Sequence, residues 1–214
     1  MNLVTILLSA LSLTLLPIGS ESQWKSLQFD GTPANEVNFS DLGIEIEVKE
    51  SASVLLYLFP EPKEVSEFSI RGEVTGNLNL APETGWADAP DDALLRVGII
   101  ETGTRKLTPI EKIAAPRWVK NLESMLGDGD VGVGQIRCFN LHPKGDWVGK
   151  SRVNPNVSFF HETVAASPTP EGAFAWGSKL DSPAQAHGFW IIADGDNTSS
   201  SFTTTIEEFA VKFR

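Results

Sequence analysis

Alternation of apolar and charged residues constrains this chain most. In Leu42-Gly43-Ile44-Glu45-Ile46-Glu47-Val48-Lys49 the two kinds of side chain take turns, the period of a strand with one wet face. The pattern returns near the C-terminus, with Phe209, Val211 and Phe213 opposite Glu208, Ala210 and Lys212. It returns again where Phe68, Ile70, Gly72 and Val74 oppose Glu67, Ser69, Arg71 and Glu73. Ala52 to Phe59 is a continuous apolar run of strand length, ended by Pro60 and Pro62. Asp92 to Glu101, Val131 to Leu141, Val157 to Val164, His187 to Ala193 and Thr205 to Phe213 complete the predicted strands. Proline and glycine clusters between them mark loops. One helix is predicted over Pro116 to Leu126, with Trp118, Leu122 and Met125 on one face and Gly127 at the C-terminal cap. These elements predict an all-β fold, an antiparallel β-sandwich with one short helix.

The N-terminus has a different character. Residues 1 to 20 carry no charged side chain, and Leu3 to Pro17 is almost continuously apolar. That length suits a signal peptide and falls short of a membrane span. Ser20 and Ser22 suit a cut before Gln23, which predicts a signal peptide at 1–22 and one domain at 23–214. No Lys or Arg precedes the apolar run, so a retained anchor is the alternative. The predicted destination is secreted or periplasmic, with no membrane span in the mature chain. A single cysteine, Cys138, excludes an internal disulfide, so the core must hold the fold. At 214 residues it can do so, because a domain of that size buries roughly 70% of its unfolded surface.

Charge and motifs narrow the function. Lys and Arg number 17 against 28 Asp and Glu, a net charge of −11 with no long run of one sign. That excludes nucleic acid and anionic membrane surfaces as partners. Gly127-Asp128-Gly129-Asp130-Val131-Gly132 spells a dinucleotide motif, but its aspartates would repel a pyrophosphate, and it reads as a turn. His161-Glu162 opens like a zinc-protease helix, yet position 165 is alanine. No serine sits in G-x-S-x-G. His142, His161 and His187 read as surface or loop histidines, and Cys138 as a buried strand residue. Nothing selects a catalytic pair among the carboxylates, although two of them in one cleft would suit glycoside hydrolysis.

Two acidic loops and two tryptophans supply the candidate site. Asp194-Gly195-Asp196-Asn197-Thr198 follows an apolar strand, and Asp88, Asp91 and Asp92 precede the strand that carries Arg96. Closely spaced carboxylate and amide oxygens suit a hard cation such as calcium, which makes Asp91, Asp92, Asp194, Asp196 and Asn197 candidate ligands. The spacing is not that of an EF-hand, since Ser199 and Thr205 stand at its glycine and glutamate positions. The same residues also make ordinary hydrogen-bonded turns. Trp86 and Trp147 lie in loop-like surroundings and could present indole faces to a sugar or simply plug a sheet edge. Arg96, the third candidate ligand-binding residue, could equally pair with a carboxylate in a fork geometry that fixes one loop against the next strand.

The ordered series Asp91-Asp92-Ala93-Leu94-Leu95-Arg96-Val97, Trp147 with Arg152, and Asp194-Gly195-Asp196-Asn197-Thr198 resembles a bacterial exported family of unknown function. Its members show D-D-A-x-x-R-V, W-x-x-x-x-R-D-V and D-x-D-N-T in that order. The resemblance spans about residues 65 to 213 and implies a β-sandwich of jelly-roll or lectin-like type. It implies no activity. This chain departs from the pattern at Arg152-Val153, where the acidic partner is missing, and lacks a W-x-W around Phe68 to Val74. The sequence therefore points to an exported, non-catalytic binding module, with a polysaccharide or cell-envelope component as partner. An exported glycoside hydrolase, or a structural envelope protein with calcium-stabilised loops, are the alternatives.

Overall fold

The structure is a computed structural model that describes residues 13–104, 106–126, 131–154 and 157–214. Its strands are β1 (Thr14–Leu15), β2 (Trp24–Gln28), β3 (Glu36–Ser40), β4 (Gly43–Lys49), β5 (Ala52–Gly76) and β6 (Ala93–Gly103). The helices α1 (Pro109–Ala114) and α2 (Arg117–Leu126) follow. Then come β7 (Gly132–Leu141), β8 (Ser151–Val153), β9 (Phe160–Ala166), β10 (Ala173–Asp194) and β11 (Ser201–Phe213). The strands join in the order β3-β4-β11-β5-β10-β6-β7-β9-β8, with β1 added to β11 and β2 to β5. All pairings are antiparallel except β7 with β9. The class is all-β and sandwich-like, as the alternation requires.

Two long strands make one sheet into two layers. β5 runs through Pro60 and Pro62 without ending, against the expectation of two separate strands. The prolines are tolerated because residues 60–63 are exposed and the ladder with β10 is irregular there. Ala52 to Leu58 pairs with the C-terminal half of β10, whereas Val65 to Glu73 pairs with its N-terminal half and with β11. The inner faces of the two halves then meet. Phe189 lies 6.2 Å from Phe68 and 4.9 Å from Phe209, ring centre to ring centre.

β10 is buried on both faces near its end. Phe189, Ile191 and Ala193 enter the core between the layers, while Trp190 and Ile192 face a second core under α2. Trp118 of α2 packs edge-on to Trp190 at 5.7 Å, and Leu122 is buried beside it. Gly98 leaves room for both Ile136 and Trp190, since a Cβ there would lie 2.7 Å from Ile136 and 3.1 Å from Trp190. The helix face predicted from Trp118, Leu122 and Met125 is the packed face. The shorter α1 was not predicted, although Thr108-Pro109 is a good helix start. Gly127 and the aspartates of the G-x-G-x-x-G stretch lie outside the described residues, as do residues 1–12.

The segment before Gln23 takes part in the fold. Thr14 and Leu15 pair with Val211 and Ala210, Leu16 is buried, and Trp24 Nε1 donates to the Pro17 carbonyl at 3.1 Å. A cut after Ser22 would remove this strand. Among the described residues no helix is long and apolar enough to cross a membrane.

Candidate functional site

Strand register brings the two acidic loops together. β10 and β6 are antiparallel neighbours, and Asp194 at the end of β10 pairs with Ala93 at the start of β6. Asp92 and Asp194 must therefore sit side by side, although they are 102 positions apart in the chain. The 195–200 turn then folds over Asp92. Asp92 accepts from the backbone N–H of Asn197 at 3.3 Å and of Thr198 at 2.8 Å, and from the Thr198 hydroxyl at 2.5 Å. Asn197 Nδ2 donates to Asp92 at 3.1 Å, Asp91 at 2.9 Å and Asp196 at 2.7 Å. Thr32 reaches across from the β2–β3 connection to donate to Asp196 at 3.1 Å. Gly195 is required by close approach, since a Cβ would lie 2.9 Å from Val48.

Asp194 differs from its neighbours. It is 6% exposed, and its Oδ1 has no hydrogen-bond partner. Burial, reinforced by Asp92, pushes its carboxyl well above the usual carboxylate range, with Arg96 opposing. Oxygens of Asp92, Asp194 and Asp196 lie within 4.8 Å of one another. Of the five candidate ligands, these three share one point. Asp91 and Asn197 are joined to the group through the Asn197 amide.

Arg96, beside this cluster, reaches into the molecule. It is 3% exposed, donates from Nε to Asn140 at 3.0 Å and from Nη2 to the Asp91 carbonyl, and pairs through Nη2 with Glu162 at 3.1 Å. Glu162 also takes Arg152 Nε at 2.7 Å and Asn154 Nδ2 at 2.8 Å. Burial alone would raise the Glu162 pKa, but Arg96, Asn154 and Arg152 outweigh it and hold the carboxyl below its ordinary value. Arg152 extends the lock by donating to the carbonyls of Trp86, Ala89 and Pro90. The partner missing from Arg152-Val153 is thus Glu162, directly across the β8–β9 pair. The signal that could have found it is a charged residue on the apolar face Phe160-Glu162-Val164.

The expected ligand-binding trio requires correction. Trp86 is 7% exposed and Trp147 2%. The Arg152 guanidinium lies 4.0 Å over the Trp86 ring, and His142 stacks on Trp147 at 4.3 Å. No indole face is offered to a sugar, because both rings close the core beside β8 and β9. Arg96 pairs with a carboxylate, Glu162, which is the structural one of its two expected roles. The histidines also differ from expectation: His161 is exposed, but His142 and His187 are buried. Burial, with Lys144 and Arg152, lowers the His142 pKa to about 4. Cys138 is buried as expected, and burial pushes its thiol up to about 12, out of the reactive range.

No family model matches the chain, and no curated protein matches it. Among solved structures it is similar to a mutant Xylanase10C from Cellvibrio japonicus in complex with xylopentaose, at a TM-score of 0.37 and 10% identity. The match covers 94% of this chain and 28% of the xylanase chain. A likeness of that size does not separate shared ancestry from shared strand content.

Proposed function

We propose that the protein is an exported, non-catalytic binding module whose ligand is a polysaccharide or another cell-envelope component. One observation carries the non-catalytic part. Glu162, the most buried carboxylate among the described residues, has both oxygens committed to arginine and asparagine, which leaves neither oxygen to act as general acid or base. Two surface grooves support the same reading. One is lined by Leu107, Val119, Leu122 and Phe159 with Glu123, the other by Pro143, Pro170 and Glu171, so each holds a single carboxylate among the described residues. Glycoside hydrolysis needs two in one cleft. The carboxylates that do lie together, Asp92, Asp194 and Asp196, line neither groove, and the 195–200 turn covers them.

The loop end of the sheet is the candidate binding face. Asn197 and Ser199 are exposed, and Asp91, Asp196 and Thr198 are half-exposed. Amide, hydroxyl and carboxylate groups set close together suit the hydroxyl groups of a glycan. Export is supported by the apolar, uncharged stretch within residues 1–22. The test is retention of the purified protein on insoluble polysaccharides and on cell-envelope fractions, alongside a reducing-sugar assay. Retention without sugar release supports the reading; sugar release that survives repurification would replace it with the hydrolase.

A second reading has its own observation. Asp92 stitches the 195–200 turn to the start of β6 by four hydrogen bonds, the work of a structural clamp. A structural envelope protein would need no more from these loops than that rigidity.

A further inference from the structure

We infer that Asp92, Asp194 and Asp196 hold a divalent cation at the loop end of the sheet, and that the cation is calcium. A turn held only by hydrogen bonds accounts for Asp92 and Asp196, whose oxygens all serve loop donors. It does not account for Asp194. Its Oδ1 is buried without a hydrogen-bond partner, whereas the buried carboxylate oxygens of native proteins are as a rule satisfied. The atom belongs to the carboxylate group whose oxygens lie within 4.8 Å of those of Asp92 and Asp196. One ion touching all three at about 2.3–2.6 Å supplies the missing partner after small shifts.

Charge points the same way. Asp91, Asp92, Asp194 and Asp196 crowd one corner, and the adjacent arginine, Arg96, already serves Glu162. The donor set is all oxygen, which excludes the soft metals. Calcium is preferred to magnesium because the ligands come from a turn and a strand end rather than a compact octahedral frame, and calcium accepts irregular geometry. Thr32, already bonded to Asp196, places a hydroxyl at the rim. The inference is independent of the ligand proposed above, since a cation can brace these loops whatever they bind.

The experiment is a calorimetric titration of calcium into the chelator-treated full chain, with thermal melts in calcium, magnesium and chelator. One saturable site with a dissociation constant of about 10⁻⁴–10⁻³ M is expected, as in extracellular calcium modules. Melting should rise in calcium and less in magnesium. Asp194→Asn should abolish binding, Asp196→Asn should weaken it at least tenfold, and Asp146→Asn, at an exposed carboxylate outside the cluster, should leave it unchanged. No saturable binding overturns the inference, as does wild-type affinity in folded Asp194→Asn and Asp196→Asn. Equal responses to calcium and magnesium overturn the choice of calcium. If Asp194→Asn does not fold, Asp196→Asn at its half-exposed position decides alone. Retention on polysaccharide is read separately, so failure of either proposal leaves the other standing.

Discussion

Glu162 shows how one side chain can decide the interior of a β-sandwich. Both its oxygens face arginines, with Arg96 on one side and Arg152 on the other, and all three side chains are at least nine-tenths buried. Removing the negative charge would leave two buried guanidinium groups facing each other. Breaking a buried pair in this way costs about 3–5 kcal/mol. Glu162→Gln should therefore lower unfolding free energy by that amount in urea titration. Arg71→Ala, which breaks an exposed pair with Glu207 and Glu208, should stay within roughly 1 kcal/mol. His142 makes a second residue-scale prediction. Its pKa falls from 6.5 to about 4 on folding, so between those values the unfolded chain binds more protons. Stability is then present above pH 6.5 and declines as pH falls toward 4, by about 3 kcal/mol at most. Melting curves at both pH values should show a smaller acid loss in His142→Gln than in the wild type.

At the scale of elements, the strand most open to question is β1. Leu16 is buried beside β11, and Pro17 accepts from the Trp24 indole. Burial of one leucine is worth about 1.5–3 kcal/mol and the hydrogen bond about 1 kcal/mol. A chain beginning at Gln23 should accordingly be less stable than one beginning at Leu13, by about 2–4 kcal/mol in the same denaturant series. If export removes residues 1–22, the edge of β11 opposite Ala210 and Val211 is bared at that moment. Equal stability of the two chains would mean that β1 adds nothing to the domain. The 195–200 turn behaves differently, because hydrogen bonds to Asp92 bind it to an element far away in the chain.

For the whole molecule, β5 and β10 matter most. Each passes through both halves of the sheet, so neither half can lose its strands alone. Unfolding should be a single transition, with far-ultraviolet circular dichroism and tryptophan fluorescence coinciding in denaturant. Trp118 and Trp190 report on the core under α2, Trp24 and Trp176 on the core between the layers, and Trp86 and Trp147 on the cluster beside β9, whereas the dichroism reports on the strands. Separated transitions would show that side-chain packing around the tryptophans is lost independently of the strands.

Much of this was legible in the chain because it depends on local pattern. Period-two alternation makes strands wherever one face is buried, so β4, β11 and the outer part of β5 follow directly from Ile44, Val48, Phe209 and Ile70. The apolar face of α2, the burial of Cys138 and the interest of the two acidic loops follow from the same local reading. The partners in space do not. Register alone puts Asp92 beside Asp194 and Arg152 opposite Glu162. Trp86 and Trp147 looked like loop residues, and only packing of their loops onto β9 turned them inward. Burial is a property of the assembled layers rather than of a residue and its neighbours. What the sequence determined by itself was the class of fold and the stock of charged groups. The tertiary structure alone decided which carboxylate lies paired with arginine and which, Asp194, is left with an oxygen unsatisfied, because strand pairing joins residues that no short window of sequence contains together.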